Sequence, residues 1–196
     1  MGKIYYLMGK SASGKDTIYK ELRERLPHLK TITMYTTRPI RDGETEGVEY
    51  HFVGVKDLKE YQKMGKVIEL RTYHTIHGDW NYFTLDDGQF QLEENDYLMI
   101  GTLESYEKMR EYFRAETMVP LYIEVEDGER LARALERERQ QKVPKYAEMC
   151  RRFLADSEDF SEENLKKLEI FERFENKNIE DTLKKICQRI SARYSL

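Results

Sequence analysis

Residues 9–16 read Gly-Lys-Ser-Ala-Ser-Gly-Lys-Asp. Gly9, Gly14 and Lys15 keep the phosphate-loop (Walker A) spacing, and only the last position departs, with Asp16 in place of Ser or Thr. The flanks agree with the motif. Residues 3–8 read as a buried strand, and residues 15–26 as an amphipathic helix with Ile18, Leu22 and Leu26 on one stripe. A strand, a glycine loop and a helix N-terminus form an anion cradle: successive backbone N–H groups turn inward, and the helix dipole adds positive potential. The expected triphosphate ligands are Gly9, Ser11, Ala12, Ser13, Gly14, Lys15, Asp16 and Thr17. Lys15 is expected to be catalytic, reaching the β- and γ-phosphates.

Outward from this loop, the chain has 196 residues, room for one core with inserted subdomains. Its formal charge of -4 provides no basic field for nucleic acid. No apolar run approaches the ~20 residues of a membrane span. The first strand begins at once, so no signal peptide is expected. Cys150 and Cys187 fall on separate helices without metal-ligand spacing, and reduced thiols in a cytoplasmic protein are expected. Strands are predicted at 3–8, 30–35, 48–53, 66–73, 80–84, 96–101 and 118–125. Helices are predicted at 15–26, 56–64, 104–113, 127–140, 144–156, 161–168 and 178–193. Alternation of strand and helix over 3–26 and 96–125 predicts an α/β fold, a three-layer core around a parallel sheet. Residues 36–88 are instead rich in short strands and aromatic residues, as in a β-rich insertion. Residues 127–156 are helical and arginine-rich, with a hinge at 140–144, and read as a lid. The expected division is a core of 1–35, 89–126 and 157–196, an acceptor-binding insertion of 36–88 and a lid of 127–156.

Residues 36–52, Thr-Thr-Arg-Pro-Ile-Arg-Asp-Gly-Glu-Thr-Glu-Gly-Val-Glu-Tyr-His-Phe, follow the form T-T-R-x-x-R-x-x-E-x-x-G-x-x-Y-x-F. This resembles the monophosphate-binding segment of the guanylate kinase family, with Arg38, Arg41, Glu44, Gly47, Tyr50 and Phe52 on the pattern. The resemblance implies a P-loop kinase that moves the γ-phosphate of ATP to a nucleoside monophosphate, with GMP first among acceptors and Mg²⁺ as cofactor. It implies that Arg38, Arg41 and Tyr50 hold the acceptor phosphate, as forked guanidinium donors and a hydroxyl can. Tyr82 sits where the family has a second phosphate-binding tyrosine, although the loop 74–80 reads as longer here, and Thr84, two residues on, is a further expected acceptor-binding residue. Glu69 matches the glutamate that takes guanine N1 and N2 donors. Arg133 and Arg137 share a helix face, and Arg152 resembles a lid arginine; all three are implied catalytic groups. Asn176 matches an asparagine near adenine. Arg38 and Arg41 could alternatively pair with Asp42, Glu44 or Glu46. The expected partners are the two nucleotides alone, with no nucleic acid or membrane, for a monomer or homodimer.

Four positions depart from the family pattern. Asp16 replaces the hydroxyl residue that touches Mg²⁺. Met99 and Gly101 stand where aspartates are usual, and Met34 stands where a serine helps read guanine. Two readings follow. Asp16 supplies the carboxylate of a rebuilt Mg²⁺ site, which suits an ion preferring one or two carboxylates plus phosphate oxygens. Alternatively, the acceptor is a sugar phosphate, because Gly-Lys-Asp with Gly101-Thr102 also resembles ribose 1,5-bisphosphate phosphokinase. An inactive guanylate-kinase-like binding module is a third reading, disfavoured by Lys15 and the lid arginines.

Overall fold

The computed structural model describes residues 1–75 and 78–192. The first strand, β1 (Ile4–Met8), is buried along its whole length. Such a run suits a strand covered on both faces. It lies inside a four-stranded parallel sheet of order β6-β1-β7-β8, with β6 at Tyr97–Ile100, β7 at Met118–Glu124 and β8 at Arg173–Glu175. The period-two alternation of β1 divides the core. Ile4, Tyr6 and Met8 pack with Leu103, Tyr106 and Met109 of helix α3 (Leu103–Phe113). Tyr5 and Leu7 face Ile18 and Leu22 of α1 (Lys15–Arg25) and Leu183, Ile186 and Ile190 of α7 (Ile179–Ser191). Helices therefore cover both faces, and the expected three-layer α/β core with a parallel sheet is what the chain forms. In such sheets the crevice at the C-terminal strand ends, where crossovers diverge, is the ligand-binding edge. Here it holds the loops after β1 and β6.

A second sheet has the order β3-β2-β5-β4, with β2 at Tyr35–Thr36, β3 at His51–Phe52, β4 at Val67–Thr75 and β5 at Gly78–Leu85. Helix α2 (Val55–Lys63) packs on it through Leu58 and Tyr61 against Phe83 and Leu85. Three more helices follow β7: α4 (Asp127–Arg139), α5 (Tyr146–Asp159) and α6 (Glu162–Lys167).

Several predicted elements need correction. The strand expected at 30–35 is mostly irregular. Lys30 makes one bridge to Tyr97, and the chain then crosses between the sheets before pairing at Tyr35. The strand expected at 48–53 shrinks to two residues because 47–49 form a turn between Glu46 and Tyr50, which bridge to each other. β8 was not predicted. Residues 74–80, expected to be a long loop, are strand at 74–75 and 78–80. Residues 76–77 of that stretch, and the predicted end of the last helix at 193, lie outside the described residues. Among the described residues no helix is long and apolar enough to cross a membrane, and Cys150 and Cys187 are free thiols.

Candidate active site

The phosphate loop leaves β1 at Gly9 and enters α1 through Gly14, whose φ of 86° is left-handed. A Cβ there would meet Asn176 Nδ2 at 2.6 Å, so backbone angle and space both demand glycine. Asn176 is buried, and its amide donates to Ser13 O at 2.8 Å. It braces the back of the loop. Ala12 also has positive φ, 63°. The loop sits at the N-terminus of α1, with Lys15 and Asp16 at the edge of a cavity of about 530 Å³. Lys15 Nζ lies 3.3 Å from Asp16 Oδ2, and the Asp16 side chain is 84% exposed.

The far side of this cavity comes from the second sheet. Tyr50, Tyr82, Arg71, Tyr73 and Trp80 line it, with Met34 between the sheets. Arg38 lies beneath this wall. Its Nη1 and Nη2 donate to Glu44 at 2.9 and 2.8 Å, and its Nε donates to the Tyr82 hydroxyl at 3.1 Å. The salt bridge weighed as the alternative for Arg38 is thus made, and it aims the same side chain at Tyr82. The guanidinium holds the Glu44 carboxyl down to about 2, and burial pushes the Tyr50 hydroxyl up. The Arg41 guanidinium lies 5.8 Å from the Trp80 ring centroid. It opens on a neighbouring cavity of about 440 Å³, shared with Arg137, Lys145 and Arg152. Glu69 and Thr84 are buried and bonded to each other, with Thr84 Oγ1 donating to Glu69 Oε1 at 2.9 Å.

Helix α5 supplies the remaining wall through Glu148, Arg151, Arg152, Asp156 and Asp159. Arg152 Nη2 donates to Ser11 Oγ at 3.1 Å, and the Ser11 N–H donates to Asp156 Oδ2 at 2.7 Å. Burial raises the Asp159 carboxyl, and Asp156 and Glu158 add to the effect. The structure thus brings Lys15, Arg152, Tyr50 and Tyr82 to one cavity. Arg137 stands in the neighbouring one. Arg133 stands apart from both, donating to Glu129 and to Asn176 O.

Sequence reasoning passed over Arg71, Arg130 and Asp156. Arg71 is two residues from Glu69 on a strand, which fixes both to one face. Arg130 is 1% exposed and donates to Ser11 O at 3.0 Å and to Asp127. Its spacing of four from buried Ala134 was the available signal.

Two positions explain the missing carboxylates. Met99 is a core residue, 3% exposed. At Gly101 a Cβ would overlap the Tyr6 hydroxyl and crowd Ser105 Oγ at 2.8 Å. The Tyr6 hydroxyl is bonded to Ser105 at 2.5 Å and pushed up by burial. Among the described residues no group of three His, Cys, Asp or Glu could hold a metal by itself. The donor set still fits Mg²⁺ arriving on a nucleotide, because exposed Asp16 adds one carboxylate to phosphate oxygens and water.

Residues 1–81 match the family model described as guanylate kinase. The guanylate kinase of Mycobacterium tuberculosis is 41% identical over 78 residues, covering 40% of this chain and 36% of the relative. That of Helicobacter hepaticus is 30% identical over 115 residues, covering 57% and 55%. That of Frankia casuarinae is 46% identical over 63 residues, covering 32% and 34%. The match therefore spans between 34% and 55% of these relatives' lengths. A crystal structure of guanylate kinase from Anaplasma phagocytophilum shares the fold, with a TM-score of 0.66 at 19% identity over 98% of this chain and 86% of the other. The resemblance read from residues 9–16 and 36–52 is upheld.

Proposed function

We propose that this guanylate-kinase-like chain transfers the γ-phosphate of ATP to the phosphate of a nucleoside monophosphate, GMP first among acceptors. One observation carries the reading: the phosphate loop with Lys15, and Tyr50 with Tyr82 of the acceptor sheet, face the same cavity. Phosphoryl transfer asks little covalent chemistry of a protein; it needs two phosphates held in line and their charge neutralised. The loop amides and Lys15 would take the triphosphate. Tyr50, Tyr82 and Arg38 would take the acceptor phosphate, with Arg41 entering from the adjoining cavity. Arg152, hydrogen-bonded to Ser11 of the loop, would stabilise charge on the transferred group. Arg137 and Arg133 would reach the phosphates only if α4 moved. Mg²⁺, when bound, neutralises the β,γ-oxygens, and Asp16 is the residue that would hold it. We place the protein in the cytoplasm as a monomer or homodimer, consistent with its free thiols and with a site built by one chain.

The test is ADP release across GMP, dGMP, AMP, UMP, CMP and ribose 1,5-bisphosphate, with Mg²⁺ and ATP. Turnover is expected with GMP and dGMP at rates well above the others. Turnover with ribose 1,5-bisphosphate alone would overturn the reading.

A further inference from the structure

Glu69 and Arg71 lie on one face of β4 and form a buried ion pair, with side chains 1% and 8% exposed. Both Glu69 oxygens are engaged. Oε1 accepts from Thr84 Oγ1 at 2.9 Å and from Arg71 Nη2 at 3.3 Å, and Oε2 accepts from Arg71 Nε at 3.0 Å. Arg71 lines the large cavity and Glu69 does not. A guanidinium has five N–H groups, and Glu69 takes two of them. Among the described residues none accepts a hydrogen bond from Arg71 Nη1. Met34, on the same cavity, offers no hydroxyl. The polar group that an acceptor meets on this wall is therefore a fork of donors. Both oxygens of the carboxylate buried beneath it are already hydrogen-bonded within the protein.

We propose that Arg71 reads the acceptor base through two hydrogen-bond acceptors, the 6-oxo group and N7 of a 6-oxopurine monophosphate, and that Glu69 is a positioning residue that fixes the fork. The inference rests on the phosphotransferase reading above and names how its acceptor is chosen. An arginine fork matches O6 and N7 of guanine, whereas adenine presents a donor amine at the O6 position. The pairing with Glu69 makes the fork rigid, so little side-chain freedom is lost when a base docks.

Inosine monophosphate separates the two ways of reading guanine. Hypoxanthine keeps O6, N7 and N1–H but lacks the N2 amine. Recognition by Arg71 is indifferent to that loss. Recognition by Glu69 is not, because a site built to bond a donor rejects the analogue without it by large factors. The experiment measures kcat/KM for GMP, IMP and AMP with the intact chain, then with Arg71→Lys and Glu69→Gln, alongside melting curves. IMP within about tenfold of GMP, with AMP at least about a hundredfold poorer, is the expected result. Arg71→Lys keeps a cation beside Glu69 but removes the fork. It should raise KM for GMP and IMP by about tenfold or more and leave KM for ATP unchanged. Glu69→Gln should raise both acceptor KM values in parallel with kcat near that of the parent, a split that a purely structural role would not produce. IMP more than about tenfold poorer than GMP, or AMP used as well as GMP, would overturn the inference and leave the kinase reading standing. Absence of turnover with every monophosphate would overturn both. The comparison of GMP with IMP needs no variant, so misfolding cannot obscure it.

Discussion

Gly101 owes its identity to a side chain on the neighbouring strand. The Tyr6 hydroxyl fills the space that a Cβ would enter and is held there by Ser105. Gly101→Ala should therefore destabilise by about 1–3 kcal/mol, the usual cost of overpacking. Tyr6→Phe removes the clashing oxygen, so Gly101→Ala made in a Tyr6→Phe background should cost much less. Denaturant melts of the four proteins in this cycle check the coupling; equal costs in both backgrounds would refute it. Glu44 offers a pH signature. Its folded-state carboxyl, held by Arg38, titrates near 2 against an ordinary value of 4.5. Its contribution is therefore complete above about pH 4.5 and is lost as pH falls through about 2. Melting temperatures between pH 2 and 6 should fall less steeply for Glu44→Gln than for the parent, and parallel curves would contradict the pairing.

Arg130 links helix α4 to both the phosphate loop and α5. Arg130 bonds Asp127 on its own helix and Ser11 O on the loop, and its guanidinium lies 4.3 Å from the Phe153 ring centroid on α5. Arg130→Met should cost about 3 kcal/mol, because it strips a buried cation from carboxylates and a carbonyl left without their donor. Urea denaturation measures this, and a loss under about 0.5 kcal/mol, typical of a surface change, would contradict it. Elements of this kind divide into those legible from sequence and those that were not. The phosphate loop and its helix were legible because glycine spacing and the stripe Ile18, Leu22 carry their own geometry. The helices α2 to α7 followed from periodicity to within a few residues at each end. The segment 30–35 misled because β-favouring Thr31, Ile32 and Thr33 are used to cross between sheets. β8 is three residues long, and a run that short has no readable period. Arg130 and Arg71 escaped because their importance depends on which strand and loop fold against them. The replacement of the usual carboxylates by Met99 and Gly101 was legible as a departure, but the Tyr6 hydroxyl that leaves no room for a side chain at Gly101 lies on another strand.

At the scale of the molecule, one parallel sheet presents an anion cradle and a second, mixed sheet presents aromatic hydroxyls and arginines. Helix α5 adds a further wall, and all three meet at one cavity of about 530 Å³. That volume falls within the range of small-ligand sites. Lys15, Arg152, Tyr50 and Tyr82 line that one cavity, which supports the proposed transfer between two phosphates over hydrolysis. The most direct test follows the phosphoryl group. ATP labelled at the γ-phosphate is incubated with Mg²⁺, GMP and the protein, and the products are separated. The account predicts label in the β-phosphate of GDP, one ADP formed for each GDP. It also predicts a rate lower by about a hundredfold or more in Lys15→Met. Label recovered as inorganic phosphate, or transfer undiminished in folded Lys15→Met, would contradict it.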